Sequence, residues 1–201
     1  MKKLAILVVL AVVAGTGSAF ADVVFDFGTA FSTGATLTTT PVTGCSAFCM
    51  SLSFDNTGNP TAFAGVDATG IFGGLGDPDL TNPMLTLGLP GGVTAFDFDF
   101  ALGFPLDDAI PGVGGLIDNS VFQTANATLQ TSGVATGHFH YAGPTFNRLD
   151  LLFAQRDIGG AQIDFFAVNH VTAEPVPEPA TVWLLGTMLA GFGVFRLRKR
   201  A

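Results

Sequence analysis

The chain has 201 residues, with a formal net charge of −8, 26 glycines, 20 phenylalanines, two cysteines and a single tryptophan. All 16 acidic residues lie between Asp22 and Glu178, where the only cations are Arg148 and Arg156, so this body carries a formal charge of −14 and no lysine. That balance repels phosphate backbones and excludes nucleic-acid binding, and the glycines follow no fixed period that would indicate collagen or a solenoid.

The predicted elements begin with an uncharged stretch from Leu4 to Ala14 behind Lys2 and Lys3. Small residues and Ala19-Phe20-Ala21 follow, the charged, apolar and Ala-x-Ala order of a secretory signal peptide. Residues 1–21 are read as that signal, a helix removed between Ala21 and Asp22.

The cysteines, Cys45 and Cys49, then fall on the exported side, where disulfides persist. In an extended strand their separation is roughly 13 Å, beyond the ~7 Å Cα limit of a bridge. A Cys45–Cys49 disulfide therefore requires a turn through Ser46 and Ala47, which Gly44 favours.

From here the apolar residues alternate. Met50, Leu52 and Phe54 interleave with Cys49, Ser51 and Ser53, and Leu85, Leu87 and Leu89 form a second such series. Phe96, Phe98 and Phe100 enclose Asp97 and Asp99, and Phe165, Ala167 and Val171 are assigned one apolar face of the last stretch, with Ile163. Period-two patterning marks half-buried strands, and runs such as Asn56-Thr57-Gly58-Asn59-Pro60 punctuate them. The expected fold is all-β: an antiparallel β-sandwich, jelly-roll-like, of about eight to ten short strands over residues 22–172.

Chemistry-bearing residues are few. Asp97 and Asp99 point to one face about 7 Å apart, a candidate calcium edge with Asp107-Asp108 and Asp118-Asn119 near in sequence. His138 and His140 share a strand face, with Phe139 and Tyr141 on the other, and His170 lies on the last strand. The three imidazoles form a zinc set if those strands pair, and otherwise a polar face. Nucleophile and phosphate-loop signatures are missing, and the body has no lysine to act as base, so no catalysis is expected. Sugar platforms favour Trp and Tyr; the body has only Tyr141, and its phenylalanines are expected mostly in the core.

The chain ends in three parts. Ala173 to Pro179 is a Pro-rich spacer. Ala180 to Phe195 is uncharged and spans roughly 24 Å as a helix, just under a ~30 Å hydrocarbon core. Arg196, Arg198, Lys199 and Arg200 form a basic stop that stays cytoplasmic. The order Val176-Pro177-Glu178-Pro179-Ala180-Thr181, apolar run, Arg-rich end resembles a PEP-CTERM sorting signal, a tail also catalogued as the ice-binding protein C-terminal domain. The resemblance covers residues 176–201 and implies export, transient anchoring by a transmembrane helix over residues 180–195, and cleavage near Pro177-Glu178-Pro179 by an exosortase in bacteria that make extracellular polysaccharide. Delivery is then to the cell surface or matrix. The expected role is structural or adhesive and non-catalytic; the competing one is a calcium-assisted carbohydrate-binding module acting on that polysaccharide.

Overall fold

In the computed structural model, residues 22–32, 34–77, 79–103, 112–130, 133–153 and 165–176 are described. The signal peptide with Ala19 and Ala21, the motif from Pro177 to Thr181, the apolar run 180–195 and Asp107-Asp108 lie outside them. Among the described residues no helix is long and apolar enough to cross a membrane.

The described elements are β1 (Val23–Val24), α1 (Phe27–Ala30), β2 (Ala35–Leu37), β3 (Val42–Cys45), β4 (Cys49–Asp55), β5 (Phe63–Val66), β6 (Gly70–Gly74), β7 (Met84–Gly103), β8 (Gly112–Ile117), β9 (Val121–Leu129), β10 (Val134–Phe153) and β11 (Phe165–Pro175). All pairings are antiparallel, as the alternation predicts.

Two strands depart from the expected short ones. β7 and β10 are each 20 residues long and pair with one another along most of their length. The first half of β7 pairs with β4 and the second half with β11. The change of partner falls at Pro90-Gly91-Gly92, where Gly92 has φ +69°, and β10 answers with register shifts between Ala142 and Arg148. Such bulges bend a strand and increase its twist. The sheet thus folds over on itself into two leaves that share β7 and β10. One leaf runs β2-β5-β6-β11-β7-β10, and the other joins β3 and β4 through β7 and β10 to β8 and β9.

The inner faces meet through aromatic side chains. Phe166 of β11 stacks on Phe153 of β10 at 4.2 Å and on Phe54 of β4 at 6.0 Å, although β4 and β11 share no backbone pairing. Each of these rings is at most 1% exposed, and burying one contributes about 1.5–3 kcal/mol. At one end Asp26 caps α1 by accepting from the Gly28 and Thr29 N–H groups. This seats Phe25, Phe27 and Phe31 together in the core.

β11 corrects the face assigned to it. Phe166 and Val168 are buried, and Phe165 turns outward with Ala167 beside it. The inter-leaf stack selects Phe166 over its neighbour. A register shift between Asn169 and Thr172, with His170 at φ +49°, then returns Val171 to the core. The strand also continues through Ala173, Glu174 and Pro175 into the segment read as spacer, because Ala173 is buried and pairs with Val23.

Candidate functional site

The outer face of the first leaf gathers the histidines and the central aspartates. In β7 the core takes Phe96, Phe98 and Phe100, which leaves Asp97 and Asp99 on the opposite face. In β10 the buried Phe139 fixes His138 and His140 on that same outer face. Pairing sets His138 across from Asp99 and His140 across from Asp97. On the far side of β7, the positive φ of His170 brings a third imidazole to Asp99.

The contacts form an alternating row across three strands. His170 Nδ1 lies 2.9 Å from Asp99 Oδ2, and Asp99 Oδ1 lies 2.9 Å from His138 Nδ1. His138 Nε2 lies 3.3 Å from Asp97 Oδ1, which also meets His140 Nδ1 at 2.5 Å. Each carboxylate therefore bridges two imidazoles. The hydrogen bond to Asp99, helped by a second one to Asp97, raises the His138 pKa above its ordinary 6.5 against the opposing effect of burial. The hydrogen bond from His138 holds the Asp99 carboxyl below its ordinary 3.8, with His170 adding to the effect. Both directions favour the charged forms.

This arrangement decides the condition on which the zinc set depended. β10 and β11 do not pair with each other, because β7 runs between them, so the imidazoles meet aspartates rather than one another. The carboxylates of Asp97 and Asp99 are engaged by imidazoles, and among the described residues no group of three or more His, Cys, Asp or Glu is placed to hold a metal ion. Asp118 lies on the second leaf. It occupies the β8–β9 turn at φ +45° and accepts from the backbone N–H groups of Asn147 and Arg148. Cys45 and Cys49 face each other at the ends of β3 and β4, 4.1 Å apart at Cα, and are joined by a disulfide. Asp22 is exposed just before β1, and the Val176 N–H donates to the Gly92 carbonyl.

Next to the acid–imidazole row, the same face carries three exposed phenyl rings. Phe63, Phe72 and Phe165 are 56%, 39% and 42% exposed. Each stands across from a glycine: Phe63 from Gly74, Phe72 from Gly65, and Phe165 from both Gly74 and Gly103. The rings spread over these glycines, since a Cβ at Gly74 would come 2.6 Å from Phe63, at Gly65 2.9 Å from Phe72, and at Gly103 1.6 Å from Phe165. The rings therefore lie over β5, β6, β11 and the Gly103 end of β7. Ala101 of β7 pairs with Ala167 and leads two residues along the strand to Asp99.

Sequence reasoning expects the phenylalanines mostly in the core and does not single out these three. The available signal was the recurrence of Phe with Gly within short strands, Phe63-Ala64-Gly65 and Phe72-Gly73-Gly74. It also read Asn59 as turn punctuation. Asn59 is fully buried and its amide donates to the carbonyls of Leu75, Asp77 and Thr81, tying two loops together.

No protein-family model matches the sequence, and no curated protein is similar to it. Among solved structures the chain is similar to a CBM4 structure, with TM-score 0.36 and 19% identity over 63% of this chain and 87% of that one. It is also similar to a family 29 carbohydrate-binding module complexed with mannohexaose, with TM-score 0.36 and 12% identity over 71% and 92% of the two chains. A third is the catalytic domain of a GH87 alpha-1,3-glucanase in complex with tetrasaccharides, with TM-score 0.34 and 12% identity over 74% and 30%. TM-scores this low establish neither a common fold nor a common ligand.

Proposed function

We propose that this chain is an exported, non-catalytic adhesive protein whose β domain holds uncharged extracellular polysaccharide on the outer face of the first leaf. The observation that carries this reading is the set of phenyl rings lying open over Gly65, Gly74 and Gly103 beside a row of acids and imidazoles. A sugar ring offers a C–H face that packs on an aromatic plane and a rim of hydroxyls that needs placed donors and acceptors. The rings and the acid–imidazole row lie side by side on one face, which supports both needs. The body charge of −14 disfavours polymers rich in carboxylate or sulfate, which selects the uncharged ones.

Residues 1–21 supply the address to the export machinery, and the Val176–Thr181 tail supports processing by an exosortase at the membrane and display at the surface or in the matrix. Imidazoles already meet Asp97 and Asp99, so the reading takes calcium out of the glycan contact.

A panel of soluble neutral and acidic polysaccharides, offered to the full-length protein with and without chelator, tests the binding. Binding to a neutral polymer that survives chelator is expected. The Phe72→Ala, Phe165→Ala double variant is expected to weaken it about tenfold, the ratio that ~1.4 kcal/mol represents. Failure to bind every polymer in both conditions removes the glycan reading. Intact mass of the form secreted by the native host tests the sorting route. A species starting at Asp22 and lacking Trp183 is expected; recovery of the uncleaved chain refutes the processing.

A further inference from the structure

We propose that His138 is a proton-operated clamp. As an imidazolium it ties Asp97 to Asp99 and sets both carboxylates in register for glycan hydroxyls; on losing its proton it releases Asp97, and the face binds more weakly. The inference rests on the glycan reading of this face.

The geometry of one ring carries it. His138 presents Nδ1 to Asp99 at 2.9 Å and Nε2 to Asp97 at 3.3 Å. A carboxylate only accepts hydrogen bonds, and a neutral imidazole has a single N–H. The hydrogen bond to Asp99 and the ion-pair contact to Asp97 are therefore both attractive only when both ring nitrogens carry protons. In the neutral ring one nitrogen turns a lone pair toward a carboxylate oxygen. The shorter contact to Asp99 retains the proton and the longer one to Asp97 opens.

The neighbours make His138 the link that matters. Asp97 and Asp99 meet it from β7, and His140 of β10 and His170 of β11 meet the same carboxylates from either end through Nδ1. β9 brings Ala127 opposite Gly137 and Thr128 opposite Thr136, neither of them titratable. Among the described residues His138 is the one that touches both acids, so it joins the two halves of the row. Its side chain is 57% exposed, which leaves the proton in exchange with solvent. A pre-set pair of acceptors binds more tightly than one that must be ordered by the ligand, and imidazole is the side chain that titrates near neutrality. His138 acts here as a positioning residue.

Two measurements on the full-length protein decide the matter. The first is a nitrogen-15 NMR titration of the imidazoles without ligand. Protonation of both His138 nitrogens is expected to persist above pH 6.5, and a ring carrying one proton at pH 6 overturns the clamp. The second is affinity for the neutral polysaccharide at pH 5.5 and 8.5. Binding about fivefold tighter at pH 5.5 than at 8.5 is expected, the gain of a pre-set pair of acceptors. The His138→Gln variant is expected to bind equally at both values, and the His140→Gln variant to keep the pH response. Affinity independent of pH in the parent protein overturns the gating while the glycan reading stands. Absence of binding at both values overturns the glycan reading and the gating with it, and the nitrogen spectra still decide the clamp.

Discussion

Asp150 and Asp99 occupy equivalent positions, each on the outward side of a central strand, yet their surroundings differ in kind. Asp150 of β10 is 1% exposed, covered on the second leaf by Arg148 and Thr86. The Arg148 Nε lies 2.9 Å from both carboxylate oxygens and the Thr86 hydroxyl donates at 2.6 Å. The Asp99 side chain, on the first leaf, is 48% exposed and its partners are imidazoles. A guanidinium is charged at every accessible pH, whereas an imidazole changes charge in the middle of the range. The contrast teaches that a buried acid with a permanent cation holds its charge partner at every pH, and an open acid with a titratable partner makes the contact depend on pH.

The comparison breaks first at Arg148. Removing the cation by Arg148→Met strands the Asp150 carboxylate on a covered surface. The expected cost is about 2–3 kcal/mol, discounted from a fully buried pair because the Arg148 side chain is 44% exposed. In a domain of this size that lowers Tm by roughly 6 °C. Thr86→Val, which deletes one hydrogen bond and leaves the ion pair, is expected to cost about 1 kcal/mol. Calorimetry of the two variants checks both values. An unchanged Tm in Arg148→Met would show that the pair has no structural weight.

The exposed site is expected to move stability less and to do so with pH. The raised pKa of His138 means that its stabilisation is fully present below 6.5 and is lost as pH rises through the raised value. The lowered pKa of Asp99 means that its stabilisation is present above 3.8 and is lost as pH falls through the lowered value. The row therefore supports the fold most between about 4 and 6.5. His138→Gln is expected to cost less than about 1 kcal/mol at pH 5.5 and nothing measurable at 8.5, as befits a solvent-exposed pair. The Arg148→Met deficit should be the same at both values, since no imidazole takes part in it. A His138→Gln deficit that does not change with pH would erase the distinction between the two sites.

The legible part of this protein was what is local. Alternation of Phe96, Phe98 and Phe100 with Asp97 and Asp99 showed which side of β7 faces water, because the side-chain period of a strand is two. The same reasoning placed His138 and His140 opposite Phe139. It failed on β11, where Phe165 and Phe166 are adjacent and both satisfy an apolar pattern. Period alone cannot choose between them. Phe166 wins through its stack with Phe54 and Phe153, residues far away in sequence.

The sequence by itself determined the antiparallel all-β class, the acidity, and the two Asp and two His positions that face outward, since these follow from composition and from a repeat of two. Only the tertiary structure decided that β7 runs between β10 and β11, so that aspartates separate the three imidazoles and every acid bridges two of them. It alone decided that Phe63, Phe72 and Phe165 lie open over glycines. Strand order and register come from long-range packing between the leaves, and no local pattern encodes which strand becomes a neighbour.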